Sequence, residues 1–136
     1  SLKPAYTRAD PDKSFSRFLH FLRMTEGGKD SGRVGDGDGG KAIGNYQIHK
    51  PYWKDAVAYD KSLAGRPYED CRTDLAYASR VVQAYLRRYA KKAIAANDWE
   101  AMAKTHHSIG GTDNTRYWND FLKRVHDEDP ELANKL

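Results

Sequence analysis

Eight of the eleven glycines crowd into residues 27–44, the stretch GGKDSGRVGDGDGGKAIG. No helix tolerates that density, because glycine loses more backbone freedom on ordering than any other residue. The segment is therefore turns and hairpins, and it divides a chain whose other apolar patterns are helical. Before it, Ser14 is a suitable N-cap, and Phe15, Phe18, Leu19 and Leu22 recur at helical spacing, with Glu26 continuing their stripe. Gly27-Gly28 supplies the stop. After it, Ile43 to Ile48 reads as a strand or an extended loop. Pro51 suits the first turn of a helix over about 51–62, and Gly65-Arg66-Pro67 breaks the chain again.

A long helix is expected from about 69 to 92, with Leu75, Ala78, Val82, Tyr85, Leu86 and Tyr89 on one face. Asn97 and Glu100 resemble a capping-box pair for a short helix to about His106. Asn114 can cap a last amphipathic helix carrying Tyr117, Trp118, Phe121, Leu122 and Val125. The expected organisation is an arm over 1–12, one domain over 13–127, and a frayed acidic tail over 128–136. The fold class is α+β, mainly α, with a small glycine-rich β segment.

Leu, Ile, Val and Phe number 22 of 136 residues, few enough to raise the question of disorder. A net charge of only +4, with nine Tyr, three Trp and four Phe, argues instead for a globular domain whose core leans on aromatic rings. Tyr85, Tyr89 and Trp118 are read as core. No apolar run approaches a membrane span, and the single cysteine, Cys71, rules out an intrachain disulfide. A mild positive charge favours an anionic partner such as cell wall. No nucleic-acid motif accompanies it, so no nucleic acid, cofactor or metal is expected, and the chain is read as a monomer. If a signal segment has been removed, a secreted or periplasmic location is favoured.

Several residue groups suggest chemistry. A carboxyl group on an apolar stripe at a helix end, as at Glu26, is costly to ionise and suits a general acid. Asp30, Asp36 and Asp38 follow in the glycine-rich loop, and a loop that doubles back brings such an Asp opposite Glu26. Two carboxylates flanking a cleft are the usual requirement of glycoside hydrolysis. Ordinary turn chemistry is the plainer account of Asp beside Gly. Gly35 to Lys41 reads G-x-x-x-x-G-K, but Ala42 stands where a phosphate-binding loop needs Ser or Thr. Asp36-Gly37-Asp38-Gly39 falls short of a calcium loop. His106-His107 lacks an evident third partner for a metal or a catalytic pair.

Gly44-Asn45-Tyr46-Gln47-Ile48-His49-Lys50-Pro51-Tyr52-Trp53 resembles the G-x-[FY]-Q-I-K-x-x-Y-W signature of the invertebrate-type (destabilase) lysozymes. Cys71, the run Ala78 to Tyr85, and Arg88-Tyr89 follow in the order of that family's second block. His106, Gly110-Gly111 and Tyr117-Trp118 resemble a third. The resemblance implies a lysozyme-like fold and cleavage of the β-1,4 linkage in peptidoglycan. It implies a bacteriolytic, antimicrobial muramidase with Glu26 as acid and Asp38, or Asp36, as the second carboxylate. It further implies Tyr46, Gln47 and His106 as lining of the substrate cleft. Gly27 replaces the family's usual Ser, and Ile43, Tyr77 and Val81 stand where cysteines are expected, so this is a disulfide-free form. The run Ala42-x-Gly44-x-x-Gln47-Ile48 also resembles lytic transglycosylases, in which one Glu suffices. A non-catalytic peptidoglycan-binding module is the alternative of another class.

Overall fold

The computed structural model describes residues 11–27, 35–108 and 114–136. Helix α1 spans Phe15–Gly27. Ser14 starts it as expected, its Oγ accepting from the Arg17 N–H at 3.2 Å. The described part of the glycine-rich segment forms a short 3-10 turn at Asp38–Gly40 and then strand β1, Ala42–Ile43. Strand β2, Ile48–His49, pairs antiparallel with it, Ile43 facing Ile48 and Ala42 facing His49.

Helix α2 follows over Lys50–Tyr59. The long helix expected over 69–92 is three pieces: α3 (Asp70–Thr73), α4 (Leu75–Tyr89) and α5 (Lys91–Ala96). Asp74 makes the first break, because its extended backbone turns its carboxylate onto the Tyr77 N–H at 3.1 Å as an N-cap. Ala90 leaves helical geometry at the second. Helix α6 covers Trp99–His107. Its cap is Asp98 rather than Asn97, which sits in the left-handed region at φ 55° and closes α5. Helix α7 spans Asn114–Glu128. The expected frayed tail is instead a last helix, α8 (Pro130–Asn134), capped by Asp129 and docked through buried Leu132.

Helix α2 lies along α4, while α7 packs on both α1 and α6. Contact between α4 and α6 joins these groups, and the hairpin seats on α2. The core is aromatic, as the composition implied: Phe18, Phe21, Trp99 and Phe121 meet with ring centroids 5.6–6.2 Å apart. Tyr85 and Trp118 are buried, but Tyr89 is 47% and Leu75 43% exposed. Both lie at the ends of α4, where the stripe runs past its neighbours. Ile43, Tyr77 and Val81, at the positions where cysteines were expected, are all buried.

Tyrosine hydroxyls fasten the loops. Tyr68 donates to the Ile48 carbonyl at 2.6 Å and so pins β2. Tyr77 donates to the Leu63 carbonyl at 2.8 Å. Cys71 is buried, which pushes its thiol up to about 12 and leaves it inert.

Gly44 takes φ 74°, and a Cβ there would overlap the Cys71 carbonyl oxygen. Gly44→Ala is expected to destabilise the domain by more than about 1 kcal/mol, since both strain and overlap oppose it. Urea denaturation against the parent protein checks this.

Candidate active site

Glu26 occupies the last turn of α1 with its side chain 14% exposed. One of its oxygens has two close polar neighbours. The Tyr117 hydroxyl, from the first turns of α7, donates to Oε2 at 2.7 Å. Nε2 of His106, at the end of α6, lies 3.3 Å from the same Oε2. Oε1 takes no hydrogen bond among the described residues.

His106 is buried, and its surroundings fix its tautomer. Nε2 lies 3.1 Å from the Tyr46 carbonyl oxygen, which can only accept, so Nε2 carries the hydrogen. Nδ1 then accepts from the Tyr52 hydroxyl at 2.7 Å. Burial, with Glu26 nearby, holds the Tyr52 and Tyr117 phenols well above their ordinary values. Both therefore stay proton donors across the working pH range. Tyr52 in turn stacks on Tyr85 at 3.7 Å with an interplanar angle of 10°. On the other side, His107 stacks on Tyr117 at 4.1 Å and its Nδ1 meets Asn114 Oδ1 at 3.0 Å. The carboxylate is thus held by side chains from α1, α2, α6 and α7.

Tyr46 and Gln47, expected beside the cleft, serve the hairpin and its neighbours. Tyr46 is buried, and its hydroxyl accepts from Arg23 and pairs with Ser79 Oγ, each at 2.7 Å. Gln47 sits at φ 53°, and its Nε2 donates to the carbonyls of Gly44 at 2.9 Å and Gly35 at 3.1 Å. Gly37 lies beneath it, and a Cβ there would displace the Gln47 side-chain oxygen.

The two candidate second carboxylates have different neighbours. Asp36 is clasped by Arg72, whose Nε and terminal nitrogen donate to its two oxygens at 3.2 and 3.0 Å. Asp38 has a side chain 66% exposed and a backbone φ of 53°. His49 Nε2 lies 2.9 Å from its Oδ2. That hydrogen bond, aided by the charges of His49 and Lys41, holds the Asp38 carboxyl below its ordinary value. Asp30, Gly28 and Gly110-Gly111 lie outside the described residues. Among the described residues, no three His, Cys, Asp or Glu side chains cluster as a metal ion requires, and no helix is long and apolar enough to cross a membrane.

Glu26 and His106 stand out in the sequence as site candidates, whereas Tyr117 appears there only on an amphipathic face and in the third motif block, and Tyr52 only in the first. The signal for both was their polar tip on an otherwise apolar stripe, since a buried phenol needs a partner.

A mainly helical domain with a small hairpin, presenting a helix-end glutamate, is lysozyme-like in fold. The destabilase family model matches residues 29–129, and the chain belongs to that family. Asp38, His106 and Tyr117 lie inside the matched stretch, and Glu26 just before it. The chain is 34% identical over 65 residues to Lysozyme 1 of Crassostrea virginica, covering 48% of this chain and 33% of that protein. It is 29% identical over 91 residues to an invertebrate-type lysozyme of Ruditapes philippinarum, covering 64% of this chain and 62% of that protein. The chain therefore spans about a third of the length of one relative and about three fifths of the other. No solved structure matches it.

His106→Ala leaves the Tyr52 hydroxyl and the Tyr46 carbonyl short of a partner in the interior. A loss of about 1–3 kcal/mol is expected. Tyr117→Phe, which keeps the ring, is expected to cost about 1 kcal/mol. Chemical denaturation of both variants measures the difference.

Proposed function

We propose that the protein is a glycoside hydrolase that cuts the β-1,4 linkage of peptidoglycan between N-acetylmuramic acid and N-acetylglucosamine. Glu26 is its acid and then its base. The observation that carries this reading is the division of labour on the Glu26 carboxyl. With Oε2 taking the Tyr117 hydroxyl, the acidic proton belongs on Oε1, the oxygen left for a substrate. A group held in one orientation is well placed for proton transfer.

In the first step Glu26 gives its Oε1 proton to the glycosidic oxygen as the C1–O bond breaks. The positive charge that develops on the ring is met by an ionised carboxylate, the part given to Asp38. The hydrogen bond from His49 keeps Asp38 ionised. Glu26, now charged, takes a proton from the water that attacks C1, and the product gains one water. Tyr117, His106 and Tyr52 orient Glu26 without exchanging protons with the sugar. The buried Tyr46 supports the cleft from behind through Arg23 and Ser79, and Gln47 does so through the turn it closes. The positive balance of the chain helps it approach an anionic wall, an effect that salt weakens.

A second reading has its own support. Asp38 is exposed and tied to His49, and Asp36 is tied to Arg72. A reaction needing only Glu26 therefore fits too, the lytic transglycosylase reaction, whose anhydro product lacks the added water.

Glu26→Gln is expected to abolish release of fragments from purified sacculi, by at least about 100-fold, the low end of what positioned acid–base groups contribute. Full activity would remove Glu26 from the mechanism, and binding without release by the parent protein would leave only a wall-binding module. Fragment masses decide between hydrolase and transglycosylase. In the hydrolase, His49→Ala lets the Asp38 carboxyl rise toward its ordinary value, so the acid limb of the pH–rate profile should move to higher pH. An unchanged limb would remove Asp38 from the reaction.

A further inference from the structure

At the junction of α4, α5 and α6 lies an open groove of about 390 Å³, whose lining includes Arg88, Tyr89, Lys91 and Lys92. It is separate from Glu26. Going outward from the carboxylate, His106, Tyr52 and Tyr85 intervene before Tyr89, with Tyr85 and Tyr89 centroids 4.8 Å apart. His106, Tyr52 and Tyr85 are all buried, whereas Tyr89 opens nearly half its surface to solvent.

Two of the three cations of this groove, Lys91 and Lys92, are not explained by the helix that carries them. Arg88 lies in the last turn of α4, where the helix dipole welcomes positive charge, and its guanidinium sits 5.2 Å over the Tyr89 ring. Lys91 and Lys92 instead open α5, where the same dipole disfavours them. Both are exposed, and neither makes an ion pair or side-chain hydrogen bond among the described residues. The nearby carboxylates are engaged: Asp55 lies 3.9 Å from Arg88, and Glu100 accepts from Lys104 at 2.6 Å. A half-exposed aromatic ring beside two lysines without carboxylate partners is complementary to a glycan strand whose substituents carry carboxylates.

We propose that this groove is a second, non-catalytic site for the peptidoglycan strand, with Tyr89 packing against a sugar and Lys91 and Lys92 meeting the carboxylates of the strand. The proposal rests on the wall-glycan reading above and adds to it a surface that keeps the protein on its polymer between cuts.

The test measures binding of the Glu26→Gln protein to sacculi stripped of phosphodiester polymers, at low and at physiological salt. Tyr89→Ala and the double variant Lys91→Gln/Lys92→Gln are each expected to weaken binding about tenfold, with the larger salt effect lost in the double variant. The double variant alters only exposed side chains, so an unchanged melting temperature separates lost contact from lost fold. With Glu26 intact, the same substitutions should leave cleavage of short soluble glycan fragments unchanged. Equal binding by variants and parent overturns the proposal. So does binding that vanishes once the phosphodiester polymers are removed, or an equal loss of affinity for duplex DNA, which would mark a general polyanion surface. A parent protein that cuts no strand while its binding still depends on Tyr89 would overturn the proposed activity and leave the groove standing.

Discussion

The Glu26 carboxylate is the constraint around which the domain is assembled. It lies where α1 ends, it is nearly enclosed, and one of its oxygens takes the Tyr117 hydroxyl with His106 alongside. An enclosed carboxylate without donors would be costly, so α6 and α7 must stand where their side chains reach it. His106 in turn requires a donor for Nδ1, which places Tyr52 and hence α2, and an acceptor for Nε2, which places the hairpin turn at Tyr46. One carboxyl group thus fixes the relation of four helices and a hairpin, and the packing of the aromatic core holds that relation rigid.

The abundance of tyrosine follows from the same need. A phenol buries a large apolar ring and still reaches a polar partner at its tip. Tyr68 ties the hairpin, Tyr77 ties the turn before α3, Tyr46 joins Arg23 to Ser79, and Tyr52 and Tyr117 serve the site. These bonds, with buried Ile43, Tyr77 and Val81, occupy ground where disulfides were expected from the family pattern. A chain with one cysteine holds its loops by hydrogen bonds and packing instead.

What could be read from the sequence was whatever depends on local pattern. The apolar spacing after Ser14 located α1 and put Glu26 on its buried stripe, and the glycine density located the turn segment. Breaks set by a single side chain were harder to see. Asp74 and Asp98 cap helices because their backbones are extended, and only the fold decides that Asn97 adopts a left-handed conformation while its neighbour caps. Tyr89 matches the periodicity of α4 but outruns the neighbours that would cover it. The tail from 128 looked too polar to dock, yet Leu132 and the Asp129 cap suffice to fold it back on α7. The partners of Asp36 and Asp38, Arg72 and His49, come from other segments and are set by the hairpin register, which the sequence leaves open.

The most direct test of the central claim, that Glu26 is held by Oε2 so that Oε1 meets the scissile linkage, is a crystal structure of the Asp38→Asn protein, in which Glu26, Tyr117 and His106 are intact, with a peptidoglycan oligosaccharide bound. The account predicts a glycosidic oxygen within hydrogen-bonding distance of Glu26 Oε1, with the His106 contact to Oε2 retained. An oligosaccharide seated elsewhere, or a linkage approaching Glu26 only through the oxygen that His106 holds, would contradict it.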